Sequence, residues 1–127
     1  MRFASTFVYR IPEAEDSLLT LAVAGMRDNL LLMTLQEFRD SLIAQEPPSK
    51  LSFALTALWW DAKGDWTRAH ESAQEDEGPA GSWVHAYLHR KEGDASNAAY
   101  WYRRAGKSPS QRALEEEWLE ITEALLV

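Results

Sequence analysis

The chain has 127 residues, a formal net charge of −7 and no cysteine. This length suits one domain of ordinary size, and the absence of cysteine excludes disulfides, thiolate metal sites and a thiol nucleophile. The acidic balance argues against general binding to nucleic acid or to anionic membranes, because a negative field opposes approach to phosphate. A cysteine-free composition fits a reducing cytoplasm, which is the location we expect.

Residues 1–32 are predicted to be an N-terminal extension with one apolar helix. Residues 18–26 are strongly apolar, and Pro12 with three acidic residues just before them suits a helix start. The run is too short for a membrane span of about 20 apolar residues, and the preceding acids argue against a signal peptide. The apolar segment 18–32 is a candidate surface for a homodimer.

Residues 33–127 are predicted to be a helical domain that begins just before the first sharp helix signal. Thr34 and Glu37 have the spacing of a capping box, and apolar residues at 35, 38 and 42 predict a helix to about residue 45. Pro47 and Pro48 stop that helix. The next helix is predicted to open at Ser49.

A short phrase occurs twice in the middle of the chain. The pairs Gly64-Asp65 and Gly93-Asp94 are 29 residues apart (93 − 64), and flanking alanines keep that offset. Glycine accepts the left-handed conformation that closes a helix, and aspartate accepts hydrogen bonds from the first turn of the next. Each pair therefore predicts the bend of a helical hairpin.

The rest of the chain is predicted to complete this helical array. Residues 75–81 are predicted to form a solvated turn between the hairpins, and Gly106 to end the second hairpin. A final helix is expected at 110–126, with apolar residues on one face and glutamates mainly on the other. That pattern is typical of a terminal helix that covers a stack.

The order of residue types in 49–109 resembles the tetratricopeptide pattern. Gly64 and Gly93 match the mid-hairpin glycine, Trp66 the aromatic two positions later, and Ala69 and Ala98 the close-packing alanine. The resemblance implies an all-α fold of antiparallel helical hairpins stacked in a right-handed array, with a C-terminal capping helix. It also implies a non-catalytic protein- or peptide-binding function. The departures are a repeat of 29 rather than about 34 residues and only two recognisable units.

Residues 33–127 are also similar to short bacterial proteins of unassigned function. The likeness lies in the motifs WWDAKGDW, HAYLHRKEGD and NAAYWYRRAGK. It implies no activity.

In tetratricopeptide arrays the first helix of each hairpin lines a concave groove, and four positions of the second unit match it. They are Trp83, Tyr87, Arg90 and Lys91. Aromatic surface beside two cations would suit an acidic or carboxylate-terminated segment of a partner. The alternative is that the two aromatic side chains pack under a neighbouring helix and the two cations are solvated.

Two further clusters support alternative functions. His85 and His89 stand four residues apart on one predicted helix, a spacing at which two imidazoles can reach one metal ion, and His70 could approach from the preceding helix. Because no clustered acid or HExxH glutamate accompanies them, no metal or other cofactor is predicted as the first choice. A small metal-dependent enzyme or metal-binding protein is the alternative.

The second cluster runs from Tyr100 to Arg104 and continues to Lys107 and Arg112. Six lysines or arginines against two acids give residues 85–112 a local net charge of +4 (6 − 2), so stacking of bases and pairing with phosphates are conceivable. Pairing of these cations with the glutamates of the last helix or with 75–77 is the competing interpretation. No phosphate-binding glycine loop and no GxSxG motif is present, so catalysis is not predicted.

Overall fold

The computed structural model describes residues 33–127, and within this range the chain forms six α-helices and no strand. The all-α class is thus confirmed for these residues. The predicted apolar helix and self-association segment lie outside the described residues.

In the described part, no helix has both the length and the apolar character needed to cross a bilayer. In chain order the helices are α1 (Leu35–Asp40, continued by a 3-10 turn at Ser41–Ile43), α2 (Phe53–Ala62), α3 (Trp66–Glu75), α4 (Pro79–Glu92), α5 (Ala95–Ala105) and α6 (Leu114–Leu125).

The two Gly-Asp pairs form equivalent turns, as the sequence predicts. Gly64 and Gly93 have φ of 85° and 90°, in the left-handed region. The N–H of each following aspartate donates to the carbonyl oxygen five residues earlier at 2.9 Å, and each aspartate side chain accepts from the backbone N–H three residues later. These bonds satisfy the end of one helix and the start of the next. As a result α2 packs against α3, and α4 packs against α5.

The start of α1 agrees with the sequence, whereas that of α2 does not. The Glu37 N–H donates to Thr34 Oγ1 at 3.0 Å and the Thr34 N–H donates to Glu37 Oε1 at 2.7 Å, which is the predicted capping box. The helix is shorter than predicted and ends at Ile43 with its 3-10 turn. The N-cap of α2 is Ser52, three residues beyond the predicted Ser49, and its hydroxyl accepts from the Leu55 N–H at 3.1 Å.

The predicted turn at 75–81 is in part the first turn of α4. Gly78 is the N-cap and Pro79 occupies the first helical position, where its missing N–H is no loss. Gly81 is buried against the preceding chain, and a Cβ there would lie 2.0 Å from the carbonyl oxygen of Asp76. Position 81 therefore requires glycine, because any side chain would clash with Asp76.

α6 begins at Leu114 rather than at 110. The hydroxyl of Ser110 accepts from the Arg112 N–H at 3.2 Å, and this local bond competes with a helical start. Glu116 accepts the Ala113 N–H at 3.1 Å. The glutamate of the first turn, rather than the serine and proline before it, thus marks the start of the helix.

The core is organised around α4, which contacts α2, α3, α5 and α6. Residues 81–89 of this helix are all buried. At about 100° per residue, positions 83, 87, 90 and 91 share one face, which we call the groove face, and positions 85 and 89 lie nearly opposite. The groove face meets α2 and α6, and the opposite face meets α3 and α5. Since the helix is covered on both faces, its polar side chains need partners within the protein.

Candidate functional site

Tyr87 and Lys91, two of the four predicted binding residues, lie inside the protein. They are 0% and 5% exposed. The Tyr87 hydroxyl donates to Asp61 Oδ2 at 2.9 Å, and Lys91 Nζ donates to Asp61 Oδ1 at 3.0 Å. Burial raises the pKa of Asp61, and the charge of Lys91 opposes that rise. Neither side chain lines the open groove that the resemblance implies.

Arg90, the third predicted residue, is held by a second buried acid. Its Nη1 donates to Glu117 Oε1 at 2.8 Å, and the Tyr102 hydroxyl donates to Glu117 Oε2 at 2.5 Å. Burial raises the pKa of Glu117, while the hydrogen bonds from Tyr102 and Arg90 oppose that rise. The second guanidinium nitrogen of Arg90 donates to the carbonyl oxygen of Arg112. This network ties α4 to α5 and α6.

The groove face is filled because α6 packs across it. The Trp118 indole N–H donates to the carbonyl oxygen of Leu58 at 3.0 Å, and its ring lies 6.0 Å from that of Phe38. α6 therefore covers α2 as well as α4, and α1 joins it through Phe38. The protein's own helix α6 therefore occupies the face on which the sequence predicts a binding groove.

Trp83, the fourth predicted residue, borders a cleft that remains open at the edge of α6. The cleft has a volume of about 200 Å³. Lys107 Nζ lies 4.1 Å from the centroid of the Trp83 ring. We call this opening the Trp83 cleft. The residues that line the cleft are Trp83, Lys107, Ser108, Ser110, Gln111, Arg112, Glu117 and Glu120.

Four exposed cations have no acidic partner within the described residues, and two of them, Lys107 and Arg112, line the cleft. Arg103, Arg104, Lys107 and Arg112 are exposed, and none forms an ion pair within residues 33–127. The predicted pairing with the glutamates of the last helix is therefore not found for these four. Arg104 instead lies 5.9 Å from the ring of Tyr100 and 5.2 Å from that of Trp101.

On the opposite face of α4, His85 and His89 meet His70 of α3. We call these three residues the histidine cluster. The Nε2 atoms of His70 and His85 are 2.9 Å apart, and one nitrogen of each of the three rings lies within 4.8 Å of the others. His89 Nδ1 lies 3.2 Å from Glu92 Oε1. His85 and His89 are buried and His70 is partly exposed.

The pKa values of His85 and His70 are lowered, which favours neutral imidazoles at these two residues. Burial, followed by the neighbouring histidines, lowers the pKa of His85 to about 3. The pKa of His70 is lowered by burial first and by His89 second. His70 approaches His85 and His89 from the preceding helix, as the sequence allows. Nothing in the sequence pattern identifies Glu92 as a partner of His89.

Comparison with known proteins gives no relative from which a function could be transferred. No family model matches the sequence, and no match was found among curated proteins or solved structures. The assignment of a function therefore depends on the geometry above.

Proposed function

We propose that this chain is a non-catalytic, tetratricopeptide-like helical module that binds an acidic or carboxylate-terminated segment of a partner protein. The observation that carries this proposal is the Trp83 cleft, where the cations Lys107 and Arg112 are exposed and have no ion pair within residues 33–127. Cations beside a concave surface that have no ion pair in this range are available for an anionic ligand.

The chemistry of the cleft suits a carboxylate. The guanidinium of Arg112 can bind both carboxylate oxygens at once, and the ammonium of Lys107 adds a second charge. The ring of Trp83 supplies an apolar wall, and two serine hydroxyls add polar contacts. The volume of about 200 Å³ is below the roughly 300–1,000 Å³ typical of small-molecule sites, so a side chain or chain terminus fits better than a cofactor.

The helical arrangement supports a binding module of the tetratricopeptide type. Equivalent Gly-Asp turns join α2 to α3 and α4 to α5. Because α6 fills the groove face, the proposed contact lies at the edge of that face. Arg90 contributes indirectly: its hydrogen bond to the Arg112 carbonyl holds the wall of the cleft.

The test is a binding titration of the full chain with a fluorescein-labelled polyglutamate peptide, followed by fluorescence anisotropy. The double variant Lys107→Glu/Arg112→Glu should bind at least about tenfold more weakly, since one charge-assisted contact contributes about 1.5–3 kcal/mol. The control Lys50→Glu/Arg68→Glu has the same net charge of −11 (−7 − 4) but leaves the cleft intact. Its affinity should stay within about twofold of the parent, because both residues are exposed, neither lines the cleft, and salt screens exposed charges.

Glu120 gives a test with the opposite sign. It is exposed and lines the cleft, so Glu120→Gln removes a repulsive charge and should strengthen peptide binding. Equal losses in the two charge-reversed double variants would contradict the proposal, because they would show only the effect of net charge. A single-stranded oligonucleotide that binds more tightly than the peptide would favour nucleic acid instead.

A further inference from the structure

The histidine cluster is separate from the Trp83 cleft and contains every histidine of the chain. His70 comes from α3, and His85 and His89 come from successive turns of α4. From the convergence of these three rings, we infer that His70, His85 and His89 bind one divalent transition-metal ion, with Zn²⁺ as the expected occupant. This goes beyond the proposed peptide binding and does not depend on it.

The distances are close to those of a three-histidine site. Zn²⁺–N bonds of about 2.0–2.1 Å in tetrahedral geometry place ligand nitrogens about 3.3 Å apart. The Nε2 atoms of His70 and His85 are 2.9 Å apart, so this pair would open by about 0.4 Å. The third nitrogen lies within 4.8 Å of both. Small rotations of the rings can therefore accommodate an ion.

His89 is oriented by an acid on its far side. Its Nδ1 lies 3.2 Å from Glu92 Oε1, and the two side chains are only 8% and 11% exposed. When Nδ1 donates to the carboxylate, Nε2 carries the lone pair that a metal ion needs. A carboxylate behind a histidine ligand is the usual outer partner in zinc sites, where it fixes the tautomer and the ring orientation.

Two tryptophans fix the other rings. The Trp66 ring stacks on His70 at a centroid distance of 4.7 Å, and the Trp101 ring stacks on His85 at 3.8 Å. The Trp66 indole N–H donates to the carbonyl oxygen of Leu88 at 2.9 Å, which anchors that ring to the backbone of α4. Ligands held in place before the ion arrives lose little freedom on binding.

A second group of possible ligands shares His89 but is less suitable. His89, Glu92 and Asp94 also lie within 4.8 Å of one another. The Asp94 carboxylate already accepts from the Asn97 N–H at 3.2 Å and from the Ser96 hydroxyl at 3.3 Å, because it caps α5. A metal ion bound at Asp94 Oδ1 would compete with these two capping bonds. In the histidine cluster an ion would replace only the hydrogen bond between His70 and His85, which caps no helix.

A purely structural role explains less of the geometry. The hydrogen bond between His70 and His85 needs two rings, one neutral donor and one acceptor. That bond does not involve His89, whose Nδ1 lies 3.2 Å from Glu92 Oε1. Three imidazoles suit Zn²⁺ rather than Mg²⁺ or Ca²⁺, which prefer oxygen ligands. The partly exposed His70 leaves room for water as a fourth ligand, and the ion would link α3 to α4.

The test uses the full chain, purified without a histidine tag and freed of metal with a chelator. Isothermal titration should give one Zn²⁺ per chain, and Co²⁺ should give the strong visible absorption of a tetrahedral site. His70→Gln and His89→Gln should each abolish tight binding, whereas Glu92→Gln should weaken it about 10- to 100-fold. The control Glu71→Gln, an exposed acid next to His70, should bind like the parent.

Nuclear magnetic resonance of the imidazole nitrogens in the unaltered chain provides a readout that no folding defect can disturb. All three rings should show large ¹⁵N shifts when Zn²⁺ is added. Zn²⁺ binding that moves no imidazole resonance, a weak octahedral Co²⁺ spectrum, or equal affinity in folded His70→Gln and the parent would overturn the assignment. Circular dichroism establishes that each variant is folded.

Discussion

Replacing Lys91 by methionine tests the buried charge pair between α2 and α4. Lys91 Nζ lies 3.0 Å from Asp61 Oδ1, and the side chains are 6% and 2% exposed. Methionine keeps most of the apolar stem, but it leaves the Asp61 carboxylate in the core without this counter-charge. Removing one partner of a buried ion pair costs about 3–5 kcal/mol. That is a large part of the roughly 5–15 kcal/mol by which a domain is stable.

The pH dependence of this loss identifies its cause. Burial raises the pKa of Asp61, and Lys91 opposes the rise, so the pKa of Asp61 should rise further in Lys91→Met. A raised carboxyl pKa gives stability that is complete below the unfolded pKa and is lost as pH rises through the folded pKa. The variant should therefore be less destabilised near about pH 5 than near about pH 8, with a slope of at most about 1.4 kcal/mol per pH unit.

The free energy of unfolding of the parent and of Lys91→Met is measured at both pH values by urea titration, with circular dichroism as the signal. The control is Arg68→Met, which breaks an exposed pair with Asp65 at 3.7 Å and 55% and 39% exposure. It should cost less than about 1 kcal/mol. Asp61→Asn combined with Lys91→Met should recover part of the loss, because no buried charge remains. A loss below about 1 kcal/mol for Lys91→Met, or one independent of pH, would refute the reasoning.

Three other substitutions test close packing, backbone strain and the second buried acid. Gly81→Ala should destabilise by about 3 kcal/mol or more, because its Cβ would lie 2.0 Å from the Asp76 carbonyl oxygen. Gly106→Ala should cost only about 1–2 kcal/mol, since its φ of 71° is left-handed but a Cβ meets nothing within 4 Å; urea midpoints measure both. Tyr102→Phe should cost about 1–3 kcal/mol in calorimetry by removing the 2.5 Å bond to Glu117. That cost should be greater at neutral than at acidic pH, because the pKa of Glu117 should rise further without the hydroxyl.

The sequence predicts those parts of the fold that depend on neighbouring residues. Gly64 and Gly93 need a positive φ that glycine adopts readily, and Thr34 with Glu37 caps a helix without distant help. Helix starts with several candidate caps are less certain. Ser49 and Ser52 are equally suitable by residue type, but Ser52 accepts the hydrogen bond from the first turn of α2.

The sequence does not predict which long side chains enter the core. Arg90 and Lys91 are adjacent cations that suggest a solvated surface, yet each reaches a buried acid about 30 residues away along the chain. Arg90 meets Glu117 because α6 packs against α4, and Lys91 meets Asp61 because α2 packs against α4. No local pattern encodes either packing. No local pattern identifies Asp61 as a buried acid, because its partners Lys91 and Tyr87 come from the neighbouring hairpin.

The two proposed sites lie on opposite faces of α4. Because of this separation, peptide binding and metal binding can be tested independently. Trp83 and Arg90 support the cleft from the groove face, whereas His85 and His89 point toward α3. No ligand of the proposed metal ion borders the cleft, so removing the ion should leave peptide affinity within about twofold if α4 stays in place. A larger loss would mean that the ion positions α4 itself, because a rigid helix transmits displacement of one face to the other.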